Sequence, residues 1–317
     1  MAETATARRD ADAQSRARTR RRRLPLLPAL IFLIVVTQVP FVVTLVISFA
    51  QWNIQYPNDR KLGTVANYLA VLKDPTMRDA VLNTVVMVVA TLVICLVAGM
   101  VLALLLNRQF FGRGIVRTLL ITPFLIMPMA ASLMWKHLIY NPEYGIIHGF
   151  SAWFADLTGQ PTPHTDLVSQ SPMTAIIIAL AWTWTPFMFL ILLAGLQSQD
   201  PDIHEAAAVD GAGTWATFRY LTLPMLRPYI ELCLVLGVIY LLNAYDHVFT
   251  ITQGGPGTAT TNLPYAIYLT AYRGYDYGEA SAAGVLVVAL SVLLATFGLR
   301  MVSSLADDSA PTKEASR

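Results

Sequence analysis

Charge is scarce in this 317-residue chain. Asp, Glu, Lys and Arg make up 13% of it, against 55% hydrophobic residues. An ordinary soluble domain is about 25% charged, so the composition is that of a membrane protein. Cysteine is almost missing. Cys95 and Cys233 both lie inside apolar runs, which argues against a disulfide framework and for small apolar packing residues. The five histidines are scattered, and no pair has metal-ligand spacing on an evident helix face. His204-Glu205 begins like H-E-x-x-H, but position 208 is Ala, so a zinc pair is missing and no metal site is expected. The glycine-rich stretch 254–257 lacks the G-K-[ST] ending of a phosphate loop, and no G-x-S-x-G occurs. No catalytic residue is assigned, and the chain does not read as an enzyme.

What the chain has in quantity is long apolar sequence. Six segments, roughly Leu26–Phe49, Ala80–Leu106, Thr118–Ile139, Met173–Leu196, Tyr229–Ile251 and Glu279–Val302, each reach the ~20 residues needed to cross ~30 Å of hydrocarbon. Pro123 and Pro128 interrupt the third, and Lys136 and His137 sit near its end. Membrane helices tolerate such kinks when neighbours satisfy the freed carbonyls. Residues 1–23 hold eight arginines against three acids. This tail is expected to be disordered. Its basic run suits anionic lipid better than nucleic acid, because it abuts a membrane segment. The first apolar run is too long for a signal-peptide core.

Basic residues set the orientation. With the N-terminus inside, the inner side carries 16 Lys and Arg and the outer side six: Arg60, Lys61, Lys73, Arg78, Lys136 and Arg273. The bias predicts an N-in, C-in topology. The expected organisation is a basic tail over 1–23, a membrane domain over 24–302 and a C-terminal cytoplasmic tail over 303–317. None of the outer loops is long enough for a folded soluble domain.

The longest polar interruption flanked by apolar sequence runs from Glu205 to Pro228, within a connection spanning 198–228. The charge bias places it in the cytoplasm. A helix is expected to start near Asp200 or Asp202, with Pro201 early and acids at the positive helix end. Ala206 to Ala208 favour helix, and Gly211 and Gly213 permit a sharp turn. Trp215, Phe218 and Leu221 then recur at three-residue spacing, giving a second piece with an apolar stripe. Such an element suits either a groove on a partner or the inner leaflet.

The same stretch resembles the cytoplasmic loop of permease subunits in binding-protein-dependent ABC importers, with its E-A-A, Gly and I-x-L-P pattern. Here these are Glu205, Ala206, Ala207, Gly211, Leu223 and Pro224, with Leu221 in place of Ile. Asp210, Ala212, Phe218 and Pro228 extend the likeness to the carbohydrate subgroup. Trp182 to Phe187 and Leu193 to Gln197 resemble the fourth core helix of sugar permeases. Asn67-Tyr68, Asp74-Pro75 and Asn83-Thr84 resemble the stretch before their second helix. Gly254 to Gly257 and Ala280 to Gly284 resemble the first permease of maltose, trehalose and glycerol-phosphate importers. The likeness covers roughly residues 24–302.

The resemblance implies an ABC importer type I permease fold and a second, similar permease subunit. It also implies two ATPase subunits that bind ATP and magnesium, and an extracytoplasmic sugar-binding protein. No cofactor is then held by this chain. Glu205, Ala206, Ala207, Asp210, Gly211, Leu223 and Pro224 would couple it to the ATPase. A sugar pathway near the bilayer midplane would involve Thr183, Trp184, Phe187, Gly237, Leu241, Ala244 and Asp246. Leu241 and Ala244 stand where maltose-type relatives would carry amides. Asn243 and Asp246, at i and i+3, would share one face of the fifth helix. Asp246 is either a functional acid within the membrane or a boundary cap. Trp182 and Trp184 fit packing as well as sugar contact. Gly195, Gly237 and Gly284 read as close-packing positions. Two other classes stay open at this point. A subunit of an ion-driven secondary transporter would call for intramembrane acid pairs, and a membrane scaffold would need only the cytoplasmic loop.

Overall fold

The computed structural model describes residues 27–56, 58, 61–161 and 166–307. The basic tail expected over 1–23 and the end of the C-terminal tail fall outside these residues. Among the described residues the fold is all-helical. The only β pairing there is two isolated bridges, Gln51 with Lys61 and Asn53 with Asp276.

In chain order the main helices are α1 (Leu27–Ser48), α2 (Ala66–Lys73), α3 (Pro75–Asn107), α4 (Arg113–Leu125) and α5 (Pro128–Met134, continued by a π turn Trp135–Ile139). Then come α6 (Ile146–Thr158), α7 (Pro172–Gln197), α8 (Pro201–Val209), α9 (Arg227–Leu242), α10 (Leu263–Tyr268) and α11 (Tyr277–Asp307). Four stretches are long and apolar enough to cross a membrane: α1, α3, α7 and residues Tyr277–Phe297 of α11. Two bent pairs raise the number to as many as six. Arg113–Leu125 and Pro128–Ile139 meet at 99°, and Thr214–Met225 meets Arg227–Leu242 at 61°.

The 99° bend has a local cause. Ile126 and Met127 are extended, at ψ 136° and 130°. A residue before proline is pushed out of the α region, and Pro128 then starts the next helix, where its missing N–H costs nothing. The third apolar segment is therefore two helices at nearly a right angle.

The core lies along α3, α7 and α9. Met87, Val88, Leu92 and Cys95 of α3 interlock with Ile176, Leu180, Met188, Phe189 and Leu192 of α7 and Leu234, Val238 and Leu241 of α9. Small residues let the backbones approach: a Cβ on Gly99 would lie 3.0 Å from the Phe189 nitrogen. A Cβ on Gly237 would meet Leu92 and Met188, each at 2.5 Å, and one on Gly195 would meet the Tyr229 ring at 2.6 Å. Gly284 differs from the expectation, since a Cβ there meets nothing within 4 Å. Cys95 and Cys233 are both free and buried.

Connections between the spans are ordered by buried amides. Asn67 donates to the carbonyls of Ser48 and Ala50, at 2.9 and 2.8 Å, and so occupies carbonyls at the end of α1. Asp74 caps α3 by accepting from the Thr76 N–H, with Pro75 at the first position. Asn83 donates to Thr258 and Thr261, and Thr84 accepts from the Leu263 N–H. These bonds pin the 252–262 turn, where Gln253, Gly254 and Gly257 all have positive φ.

Candidate functional site

Two regions stand out. The first is the 198–228 connection. Asp200 accepts from the Asp202 N–H at 3.1 Å and Pro201 opens α8, so the helix start matches its sequence signals. Its end is a Schellman motif. Gly211 has φ +80°, its N–H donates to Ala208 at 3.1 Å, and the Ala212 N–H donates to Ala207 at 2.9 Å. Glu205, Ala206, Asp210 and Gly211 are exposed and Ala207 is half-buried. Val209 is 88% exposed. Among the described residues the Glu205 side chain makes no hydrogen bond or ion pair. On the protein side, His204 shares a hydrogen bond with Gln199 at 2.9 Å, and Gln199 donates to the Thr222 carbonyl at 3.3 Å. One edge of α8 is thus held, and the other faces away.

The second piece runs through a helical turn Thr214–Thr217, a π turn Phe218–Thr222 and a short helix Leu223–Met225. Trp215 and Phe218 pack ring to ring at 5.7 Å. Trp215 itself is 72% exposed, whereas Leu221 and Leu223 are half-buried and Pro224 is exposed. The predicted stripe is therefore half covered and half free. Ser198 and Tyr229 bond at 2.8 Å and close the base of the connection.

The second region is an aromatic cluster between helices. Phe124 of α4, Trp184 and Phe187 of α7 and Tyr240 of α9 contact one another with centroids 5.1–6.0 Å apart. Trp184 stacks on Tyr240, and Phe187 stacks on Phe124. Trp184 and Phe187 keep part of their surface open, and Tyr240 and Asn243 are exposed. Thr183, Gly237, Leu241 and Ala244 are buried away from that surface. Thr183 donates to the Ala179 carbonyl at 3.0 Å and approaches the buried His247 at 3.5 Å. Trp182 packs edge-on to Trp135 in a separate cluster.

The fifth apolar segment is not one continuous helix. α9 ends at Leu242, Asn243 and Ala244 leave helical geometry, and a new turn starts at Tyr245. Asn243 and Asp246 therefore lie on either side of a break and not on one helix face. The Asn243 side chain donates back to Ile239 at 2.8 Å, competing with the backbone ladder. Asn262, fully buried, donates to the freed Ala244 carbonyl at 2.9 Å and accepts from the Tyr265 N–H at 3.1 Å. Lys136 reaches across from the π turn to the Thr250 carbonyl at 2.8 Å. Asp246 is half-buried. Irregular backbone at membrane depth is tolerated where protein groups satisfy it, and in transporters it marks the transport path.

Phe124, Tyr240 and Asn262 are the residues that sequence reasoning missed. Tyr240 had a signal, because Tyr240 and Asn243 stand at i, i+3. Phe124 and Asn262 had none, since their partners lie far off in sequence. Among the described residues no group of three or more His, Cys, Asp or Glu could hold a metal ion.

A stack of apolar helices, one span of it broken, with an exposed, doubly capped helix between two spans is the architecture of a multi-pass membrane protein. Residues 95–306 match the model of the binding-protein-dependent transport system inner membrane component family, and the chain belongs to that family. It is 35% identical over 257 residues to the "Probable ABC transporter permease protein y4oQ" of Sinorhizobium fredii, covering 81% of each chain. It is 32% identical over 267 residues to the trehalose/maltose transport system permease protein MalF of Thermococcus litoralis, covering 84% of this chain and 88% of that one. The trehalose transport system permease protein SugA of Mycobacterium tuberculosis is 29% identical over 286 residues, 90% of this chain and 89% of the relative. In fold it is similar to a chain of a bacterial alginate ABC transporter crystallised with an alginate pentasaccharide-bound periplasmic protein. There the TM-score is 0.76 at 20% identity, covering 92% of this chain and 97% of that one. The fold is that of ABC importer permeases.

Proposed function

We propose that this chain is one permease subunit of a heteromeric ATP-driven importer that carries a sugar, a disaccharide such as trehalose or maltose, across the cytoplasmic membrane. The observation that carries this reading is α8: a helix capped at both ends, held along one edge, with Glu205 and Val209 facing away from the chain. A rigid helix presented in this way suits a groove on another subunit. In the proposed complex that groove belongs to an ATPase subunit, which binds ATP and magnesium. The residues Glu205, Ala206, Ala207, Asp210 and Gly211 then form the contact, and Leu223 and Pro224 set the return to the membrane.

The rest follows from this placement. The six-span, N-in and C-in topology puts the 198–228 connection in the cytoplasm. A second permease completes the pore, and an extracytoplasmic binding protein delivers the sugar. The relatives named for trehalose and maltose transport support the disaccharide. The open faces of Trp184, Phe187 and Tyr240 suit the apolar faces of a sugar ring, with Asn243 beside them for hydroxyl groups. Thr183, Gly237, Leu241 and Ala244 shape this path from behind, and Asp246 flanks the helix break.

Tagged chain expressed with its operon partners tests the assembly. It is expected to retain a nucleotide-binding subunit and a second permease, with ATPase activity stimulated by trehalose or maltose and the binding protein. Recovery of the chain alone, or uptake that persists without any ATPase, would sink the reading. Trp184→Ala is expected to lower radiolabelled trehalose or maltose uptake at least ~10-fold. The Trp184 ring pairs with Phe124, Phe187 and Tyr240, and an aromatic pair is worth about 0.5–1.5 kcal/mol beyond its buried area. Removing the ring therefore disorders the wall offered to the sugar. Trp184→Phe should retain most of the uptake. Equal uptake by both variants and the parent would remove Trp184 from the path.

A further inference from the structure

The α6 helix, Ile146–Thr158, carries two opposite faces. Toward the body, Ile147 packs into the cluster of Trp135, Tyr140 and Ile251, and Ala155 is buried. At 100° per residue, Ile146, Phe150, Trp153, Phe154 and Leu157 fall in one stripe about 100° wide, centred roughly 150° from Ala155 and bordered by Ile147. All five are open, at 66, 66, 59, 57 and 64% exposure. The helix is well defined at its C-terminal end. Gly159 has φ +64°, its N–H donates to Asp156, and the Gln160 N–H donates to Ala155 at 3.0 Å, another Schellman stop. Ahead of the helix, Asn141 accepts from the N–H groups of Glu143 and Tyr144 and orders the turn that leads into it. Side-chain burial inside this chain therefore does not account for the apolar stripe.

We propose that α6 is an interfacial helix, with the stripe from Ile146 to Leu157 seated in the lipid at the membrane face opposite the 198–228 connection. Three observations identify lipid as the occupant. The first is continuity with the membrane surface. Only six residues separate Ile139, the end of the bent α4–α5 span, from Ile146, and six residues reach ~20 Å at most. That span also exposes Leu133 and Leu138. The second is composition, since a Trp and two Phe among aliphatic side chains match the aromatic belt at a membrane–water boundary. The third is place. α6 and the 198–228 connection lie at opposite ends of α7, whose 26 residues span ~39 Å. Residues 140–172 contain no Lys or Arg, so anionic headgroups contribute nothing, and burial of the stripe supplies the attraction.

The test uses the assembled transporter in nanodiscs. Phe150→Cys and, separately, Asp156→Cys carry an environment-sensitive NBD label; Cys95 and Cys233 of this chain are buried. With brominated phosphatidylcholine, the label at 150 is expected to be quenched several-fold more than the label at 156, and raising the salt should not change this. Phe154→Cys provides a second reporter if the first variant assembles poorly. A label at 150 that iodide quenches and bromolipid does not would overturn the proposal. So would a label shielded from both, which would place a protein surface on the stripe.

Discussion

Gly211→Pro is expected to abolish sugar uptake while leaving the amount of chain in the membrane unchanged. The Gly211 backbone sits at φ +80°. Proline is locked near −65° and has no N–H, so it loses both the left-handed turn and the bond to Ala208. The Ala212 to Ala207 bond depends on the same turn. Without these bonds α8 no longer stops at Asp210, and the direction of Glu205 and Val209 relative to the membrane is lost. Folding of the rest is spared, because the position is exposed and a Cβ there would meet nothing within 4 Å. Gly211→Ala should fall between, since a left-handed L-residue costs roughly 1–2 kcal/mol. Uptake in cells with matched membrane levels is the measurement. Wild-type uptake by the proline variant would remove the docking role from α8.

Asn262→Leu should have the largest effect on folding. The Asn262 side chain is fully buried and serves two backbone groups at once, the freed Ala244 carbonyl and the Tyr265 N–H. Leucine is of similar size and removes both bonds. Each buried backbone group left unpaired costs about 1–3 kcal/mol, so roughly 2–6 kcal/mol is at stake, a large share of the ~5–15 kcal/mol that stabilises a typical fold. The melting temperature of the purified chain should fall by about 5 °C or more. Asn262→Asp, which keeps the acceptor for Tyr265 and loses the donor for Ala244, should lie between. A leucine variant that melts with the parent would mean that something else holds the break.

These two residues differ in how visible they are. Gly211 could be read directly, because an Ala-rich helix followed by Gly is the usual sign of a left-handed stop. Asn262 could not. Its importance exists only because Asn243 turns its side chain onto Ile239 and the fifth segment breaks there, 18 residues before the amide that repairs it. No Pro or Gly at 243–244 announces the break. Pro128 did announce the interruption in the third segment, where the extended Ile126 and Met127 before it turn the chain by 99°. The helices at 66–73, 146–158 and 263–268 were likewise unseen, since each is short, at 8, 13 and 6 residues, and lies within a connection between the long apolar segments.

Composition and spacing alone determined that this chain is a membrane protein, where its apolar segments fall, and that a capped helix interrupts them. Those properties are local: hydropathy, charge bias and cap residues act within one or two turns. Tertiary structure decided which side chains share a surface. Phe124, Trp184, Phe187 and Tyr240 meet because α4, α7 and α9 pack together. Thr183 of α7 and Gly237, Leu241 and Ala244 of the fifth segment are buried because α3, α7 and the fifth segment close on one another, and the fate of the fifth segment rests on an amide from the following loop. Contacts between residues far apart in sequence are set by packing, which no local pattern encodes.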